Sequence, residues 1–293
     1  FDDKMTMTDV YTMFFRTSMN VPRIMGYLLA YLYQSVIIYG KKITKQDIEN
    51  ASEKYYEDNI DAFFRSSNAD GFCQELVSLE EEEIIKISKQ EDSMPFVFSE
   101  LLSVCFQAIR QIQSEIKKSC SIAVWGDGSL GYLLSLVLSE EYPEKEITVI
   151  GKHEDKLEKF AFVDHVETIF NRSGKLFDLM IECVGGNGSQ NAIADMIASS
   201  EPKATILLTG VSENPPAINT RSILERGLTL KGTTRSVRED FIRANHFLKK
   251  DSNRKKVSYL LSEVASVHNE NELKTAFERA RSSQFKTVIS FAP

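Results

Sequence analysis

Between residues 122 and 231, short runs that are almost wholly apolar alternate with turn residues and with stretches whose apolar residues recur at helical spacing. The runs fall at 122–125, 147–150, 166–170, 177–184, 204–208 and 228–231. Runs of this length predict strands buried on both faces, and the helical spacing of 132–138 and 190–198 predicts crossover helices between parallel strands. Six strands suffice for two mononucleotide-binding halves, so the expected fold class is α/β, a Rossmann-type, doubly wound, six-stranded parallel sheet. Elsewhere, residues 5–60 carry helical spacing and almost no strand pattern. Within them 21–38 is apolar around most of its circumference, and Gly40 stands where a helix should stop. Thr44 reads as an N-cap with Asp47 at the third helical position, opening a helix toward Tyr56. Ser99 reads as the cap of a helix over 100–113, residues 84–87 alternate as a strand would, and 270–281 and 286–291 read as a closing helix and strand.

The strand at 122–125 runs straight into Gly126, Gly128 and Gly131, the G-x-G-x-x-G spacing that seats a dinucleotide pyrophosphate. Gly126 permits the tight turn, Gly128 lets backbone amides approach the phosphate oxygens, and Gly131 lets the helix pack close to the strand. The first helical residues after the turn, Ser129 and Leu130 among them, supply free N–H groups and a partial positive charge. Glycines also follow the fourth and fifth runs, so Cys183, Val184, Gly185, Gly210 and Val211 are expected at strand ends that line the ligand crevice.

The end of the second strand decides the cofactor. A site for NAD places Asp or Glu there to bind the ribose hydroxyls, but this chain has Gly151, Lys152 and His153. A small residue followed by a cation accommodates a 2′-phosphate, so NADP(H) is the expected cofactor, with Lys152 at that phosphate. Glu154 or Asp155 taking the acidic role from a later position is the competing reading.

Composition narrows the class. In 293 residues, 42% of them hydrophobic, there is enough apolar material for a real core in one large or two smaller domains. A net charge of −7 argues against a nucleic-acid surface. Cys73, Cys105, Cys120 and Cys183 are too dispersed for a zinc knuckle or a disulfide framework and fit reduced thiols in a cytoplasm. His153, His165, His246 and His268 have no metal-ligand spacing. No apolar run of transmembrane length exists and no signal peptide is evident, although the chain begins at Phe1 rather than Met, which leaves room for a missing start.

Several segments in one order carry a more specific resemblance. Residues 64–67 (FRSS), 70–75 (DGFCQE), 99–104 (SELLSV), 125–132 (WGDGSLGY) and 182–186 (ECVGG), followed by 188–190, 210–213, 219–221 and 235–236, resemble successive landmarks of the medium-chain dehydrogenase/reductase superfamily. The branch most resembled is that of the ribulose-5-phosphate reductases, or ribitol-5-phosphate dehydrogenases, of CDP-ribitol and teichoic-acid synthesis. The resemblance covers about three-quarters of the chain and implies NADPH-dependent reduction of D-ribulose 5-phosphate to D-ribitol 5-phosphate by zinc-assisted hydride transfer. It also implies that Arg235 faces the cofactor crevice, where a surface ion pair is the alternative role. The substrate partner implied is a small phosphosugar, with neither nucleic acid nor membrane as partner, and a homodimer through the sixth strand is the expected assembly.

Zinc is where the resemblance strains. The family draws its ligands from a GroES-like β domain, a Cys, a His-Glu pair and a later Glu. Glu100 matches the later Glu and is the one expected metal ligand, or simply an acid in the first turn of its helix. No cysteine precedes Cys73 and no histidine precedes His153, and one carboxylate cannot make a three-ligand catalytic zinc site. In the place of that domain, residues 16–26 weakly resemble the start of an AAA+/Orc-type ATPase lid, in which Arg23 would be a nucleotide sensor; without a Walker A loop it reads as a helix-start arginine beside Pro22. The expected organisation is a helical bundle over 1–62, a remnant of the GroES-like domain over 63–95 and 236–293, and the cofactor domain over 96–235. Two function classes follow: a reductase, weakened by its missing zinc ligands, or a non-catalytic dinucleotide-binding module fused to a helical interaction domain.

Overall fold

The computed structural model describes residues 6, 32, 42–55, 84–87, 94–119, 121–212 and 214–291. Cys73, Cys120, Arg23, Arg65 and Gly40, with most of the expected 1–62 bundle, nearly all of 21–38 and all of 63–93 except 84–87, lie outside the described residues. The chain divides into two compact units, residues 1–84 and 85–293.

In the first unit, α1 (Lys45–Tyr55) starts as the sequence predicts. The Thr44 N–H and hydroxyl both donate to Asp47 Oδ2 at 2.7 Å, and the Asp47 N–H donates back to Thr44 Oγ1 at 3.2 Å. Ile48 and Ala51 are buried on one face of this helix.

The second unit is built on a parallel sheet of β1 (Ser121–Trp125), β2 (Glu146–Gly151), β3 (His165–Thr168), β4 (Phe177–Glu182), β5 (Ser200–Leu208) and β6 (Thr229–Gly232). Its order, β3-β2-β1-β4-β5-β6, is that of the doubly wound dinucleotide fold, reversing direction between β1 and β4. The register places Ile122 beside both Ile147 and Leu179, so the inner strands are flanked on both sides. Alternate residues serve opposite faces. Ile122, Val124, Leu179 and Ile181 join one core, and Ala123, Trp125, Met180 and Ile206 join the other. Burial on both faces is why the runs read as uninterrupted apolar sequence.

One face is covered by α2 (Ser99–Gln111), with the short α3 (Gln113–Lys118) following it, and by α4 (Ser129–Glu141), α8 (Arg238–Lys249) and α9 (Asp251–Ser258). The other is covered by α6 (Ser189–Ala198). Between these lie α5 (Glu154–Leu157) and α7 (Thr220–Arg226). The chain ends in a two-stranded parallel pair, β7 (Leu261–Val267) and β8 (Lys286–Phe291), with α10 (Glu270–Ser282) between them.

Three local expectations are corrected. Residues 84–87 form no strand. Ser99 does not cap α2; its hydroxyl donates to the Phe96 carbonyl at 2.7 Å, because a 3₁₀ turn over Met94–Phe98 runs directly into the helix. The fourth strand stops at Glu182 rather than 184, because the Val184 and Gly185 amides turn back onto the Glu182 carboxylate.

The edge strand β6 is tied to α3 by the Lys231 ammonium on Glu115. That bond, first among its causes, and the Ser114 hydroxyl hold the Glu115 carboxyl down at about 2. A depressed folded pKa contributes stability above the unfolded value that is lost as pH falls through about 2. Glu115→Gln should therefore cost about 1–2 kcal/mol at neutral pH after allowance for screening, an effect that shrinks as urea melts are repeated at lower pH.

Candidate functional site

The crevice opens at the carboxyl ends of β1 and β4, where the strand order reverses. Trp125 closes β1, its Nε1–H donating to Asp195 Oδ2 at 2.8 Å, with Arg172 bonded to the same oxygen and stacked 5.0 Å from the indole ring. Gly126 then turns at φ +127°, where a Cβ would come within 2.8 Å of the Cys183 carbonyl oxygen. Gly131, in the first turn of α4, lies so close beneath that a Cβ would stand 2.0 Å from the Gly126 carbonyl oxygen. Gly128 differs, since nothing lies within 4 Å of where its Cβ would be. No side chain caps α4, so the amides of its first turn, at Ser129, Leu130 and Gly131, have no capping acceptor.

Across the crevice, Glu182 is fully buried, with no ion-pair partner among the described residues. Its Oε1 accepts the Val184 and Gly185 amides at 3.0 and 2.8 Å, and its Oε2 accepts the Gly210 amide at 2.8 Å. One carboxylate thus staples the loop after β4 to the loop after β5. Those three amides are engaged within the protein, so Val184, Gly185 and Gly210 can shape the crevice but cannot donate these hydrogens to a ligand. In the sequence Glu182 figures only as the first residue of the 182–186 landmark, with no role for its carboxylate; its position at a strand end before Cys183-Val184-Gly185 is the available signal. Val184 and Val211, in the loops after β4 and β5, are 42% and 79% exposed.

Cys183 sits on the crevice floor, its thiol accepting the Thr209 hydroxyl at 3.4 Å. Burial pushes this thiol up to about 12, and burial likewise raises Cys105. A thiol that stays protonated is no nucleophile. Iodoacetamide at pH about 8 should leave Cys183 unmodified in the native protein and label it after denaturation, as site-resolved mass spectrometry would record.

Lys152 and His153 follow β2, both exposed, with their amides on the Asp127 carboxylate. Arg235 follows β6, exposed and in the left-handed backbone region at φ +64°. The loop that holds it there is fastened by α2: Gln107 bonds both Thr233 and Thr234, and Arg110 forms a two-pronged ion pair with Asp240, whose Oδ2 also accepts the Val237 amide. A non-glycine residue in this conformation is kept there only by surroundings that fix it, and such residues gather at ligand sites.

Zinc finds no set of ligands among the described residues. Glu100 is an exposed carboxylate in the first turn of α2, and no group of three His, Cys, Asp or Glu side chains among the described residues could hold an ion.

A doubly wound sheet with a glycine turn, an uncapped helix and a stapled crevice defines a dinucleotide-dependent dehydrogenase or reductase. No family model matches the sequence. Individual relatives do. Over 235 residues the chain is 38% identical to ribulose-5-phosphate reductase 1 of Staphylococcus aureus (strain NCTC 8325 / PS 47), spanning 78% of this chain and 69% of the relative. It is 37% identical to the ribulose-5-phosphate reductase of Streptococcus pneumoniae (strain ATCC BAA-255 / R6) over 255 residues, 85% of this chain and 72% of the relative. Among solved structures it superposes on S. aureus TarJ in complex with NADPH with a TM-score of 0.70 at 36% identity, covering 74% of this chain and 70% of that one. 2R,3R-butanediol dehydrogenase of Bacillus subtilis, at 17% identity and a TM-score of 0.59, shares the fold. The chain belongs to the ribulose-5-phosphate reductase family. The ATPase-lid resemblance of residues 16–26 draws no support from these relatives.

Proposed function

We propose that this chain binds NADPH and reduces the ketone of D-ribulose 5-phosphate to D-ribitol 5-phosphate. The observation that carries the reading is the uncapped first turn of α4 above Gly128, in a chain of this family. The amides of Ser129, Leu130 and Gly131 would take the pyrophosphate, helped by the partial positive charge of the helix end. Lys152 would meet the 2′-phosphate, and Arg235 would reach the crevice from the rim. Val184, Gly185, Gly210 and Val211 would form the wall against the nicotinamide and keep water from the transfer, with the protonated Cys183 beneath as an inert floor. Bound NADPH supplies the hydride; the protein supplies its orientation. Zinc is assigned no step, since Glu100 has no companion ligands among the described residues. Residues 96–235 would serve as the cofactor domain, with 63–95 and 236–293 as what remains of the substrate domain and 1–62 as a separate helical segment.

The substrate partner is thus a small phosphosugar. No helix among the described residues is long and apolar enough to cross a membrane. β6 is the outer strand of the sheet as described, and edge pairing of two copies there would give the homodimer. The test is NADPH oxidation at 340 nm with D-ribulose 5-phosphate, beside calorimetric titrations with NADPH and NADH. Tighter binding of NADPH and turnover dependent on the pentulose phosphate are expected. Binding without turnover, with or without added zinc, would turn the assignment to a non-catalytic cofactor module.

A further inference from the structure

Asp127, the residue between the first two glycines of the turn, is only 8% exposed, and its carboxylate points away from the phosphate cradle toward the end of β2. Its Oδ2 accepts the Lys152 amide at 2.7 Å, the His153 amide at 2.6 Å and a bond from His153 Nδ1 at 3.0 Å. A carboxylate can only accept, so Nδ1 carries the hydrogen and the imidazole is held in one tautomer. The ring is otherwise open. Its side chain is 47% exposed, and Nε2 has no hydrogen-bond partner among the described residues.

Asp127 also explains Gly151. A Cβ there would lie 2.7 Å from Asp127 Cβ and 2.9 Å from Asp127 Oδ2. The position at which a dinucleotide site for NAD carries its ribose-binding acid is closed to any side chain, because an acid from the neighbouring turn already fills the space and spends its charge on His153 and two amides.

The consequence is chemical. With Nδ1–H fixed, a neutral His153 offers a lone pair at Nε2, which repels phosphate oxygens. With a second proton, Nε2–H donates and the ring carries a positive charge beside Lys152. The other charged groups near the ring are exposed Glu154 and Asp155 of α5, the latter engaged by Gln284 at 2.6 Å, and Lys156, which lies over the Phe285 ring.

We propose that His153 recognises the 2′-phosphate of NADPH, that Asp127 is its positioning residue, and that binding NADPH, unlike binding NADH, draws one proton from solvent onto Nε2 of His153. No covalent bond to carbon or phosphorus changes: a neutral imidazole, a solvent proton and the dianionic phosphate become an imidazolium–phosphate ion pair. The inference rests on the reading of this crevice as an NADPH site.

The test is calorimetry at about pH 8, where a phosphate monoester is dianionic, in two buffers of different ionisation enthalpy. Uptake of about half to one proton on binding NADPH and none on binding NADH is expected for the full chain. His153→Gln should abolish the uptake and weaken NADPH about tenfold while leaving NADH within about twofold. Asp127→Asn should reduce the uptake with His153 still present. Equal weakening of both cofactors by His153→Gln, or proton uptake that persists in that variant, would overturn the inference while leaving the NADPH site standing. Wild-type protein that prefers NADH would overturn the site reading as well.

Discussion

Gly131→Ala should lose both folding stability and cofactor affinity, whereas Gly128→Ala should keep the first and lose the second. The added methyl at 131 would lie 2.0 Å from a backbone oxygen of the glycine turn, which no side-chain rotation relieves. The helix must back away from β1, at an expected cost of about 3 kcal/mol or more, and the amides of its first turn leave the phosphate position with it. NADPH affinity should fall by about 100-fold. At 128 the methyl meets nothing within 4 Å, so urea midpoints should move by less than about 1 kcal/mol. The same methyl projects into the space proposed for the pyrophosphate, so affinity should fall about tenfold. Trp125, the sole tryptophan, ends the strand immediately before this turn, and quenching of its emission by bound NADPH reports both titrations. Equal affinities for wild type and Gly128→Ala would place the pyrophosphate elsewhere.

Glu182→Leu is the second large effect. The substitution leaves three amides, at Val184, Gly185 and Gly210, without their acceptor and unties the loops after β4 and β5. Stranding buried donors costs about 1–3 kcal/mol each where water cannot replace the partner, so a loss of about 3–5 kcal/mol overall is expected. Glu182→Gln should cost less, about 1–2 kcal/mol, because its amide oxygen can still serve Val184 and Gly185 while its NH₂ group opposes the Gly210 amide. Denaturant unfolding would rank wild type, Gln and Leu in that order. NADPH affinity should fall in the same order if the crevice wall depends on the staple. A Leu variant as stable as wild type would show that the loops hold themselves.

The zinc question sets the scale of activity to be expected. With Glu100 exposed and no companion ligands among the described residues, added zinc or a chelator should change turnover by less than about twofold; this is checked by assay before and after dialysis against EDTA.

The apolar runs and their glycine ends determined the architecture by themselves. A strand buried on both faces leaves an unbroken hydrophobic signature, so 122–125, 147–150 and 204–208 could be read directly, and Gly126 and Gly131 announced the turn because only glycine fits its geometry. Family-specific segments such as 125–132 and 182–186 carried the reductase resemblance without any coordinates. What local sequence could not carry was every contact made by polar side chains across long separations. Asp127 and His153, 26 positions apart, and Glu182 and Gly210, 28 apart, become partners only when parallel strands bring their carboxyl ends side by side. The start of α2 and the end of β4 were misplaced for a local reason that apolar spacing does not record: a 3₁₀ turn at 94–98 runs into the helix, and the Glu182 carboxylate accepts amides two and three residues further on. Hydrophobic periodicity records which face of an element is dry, and that is a local property. The partners of buried carboxylates such as Glu182 and Asp127 belong to the assembled sheet, where one acid bridges loops from different strands.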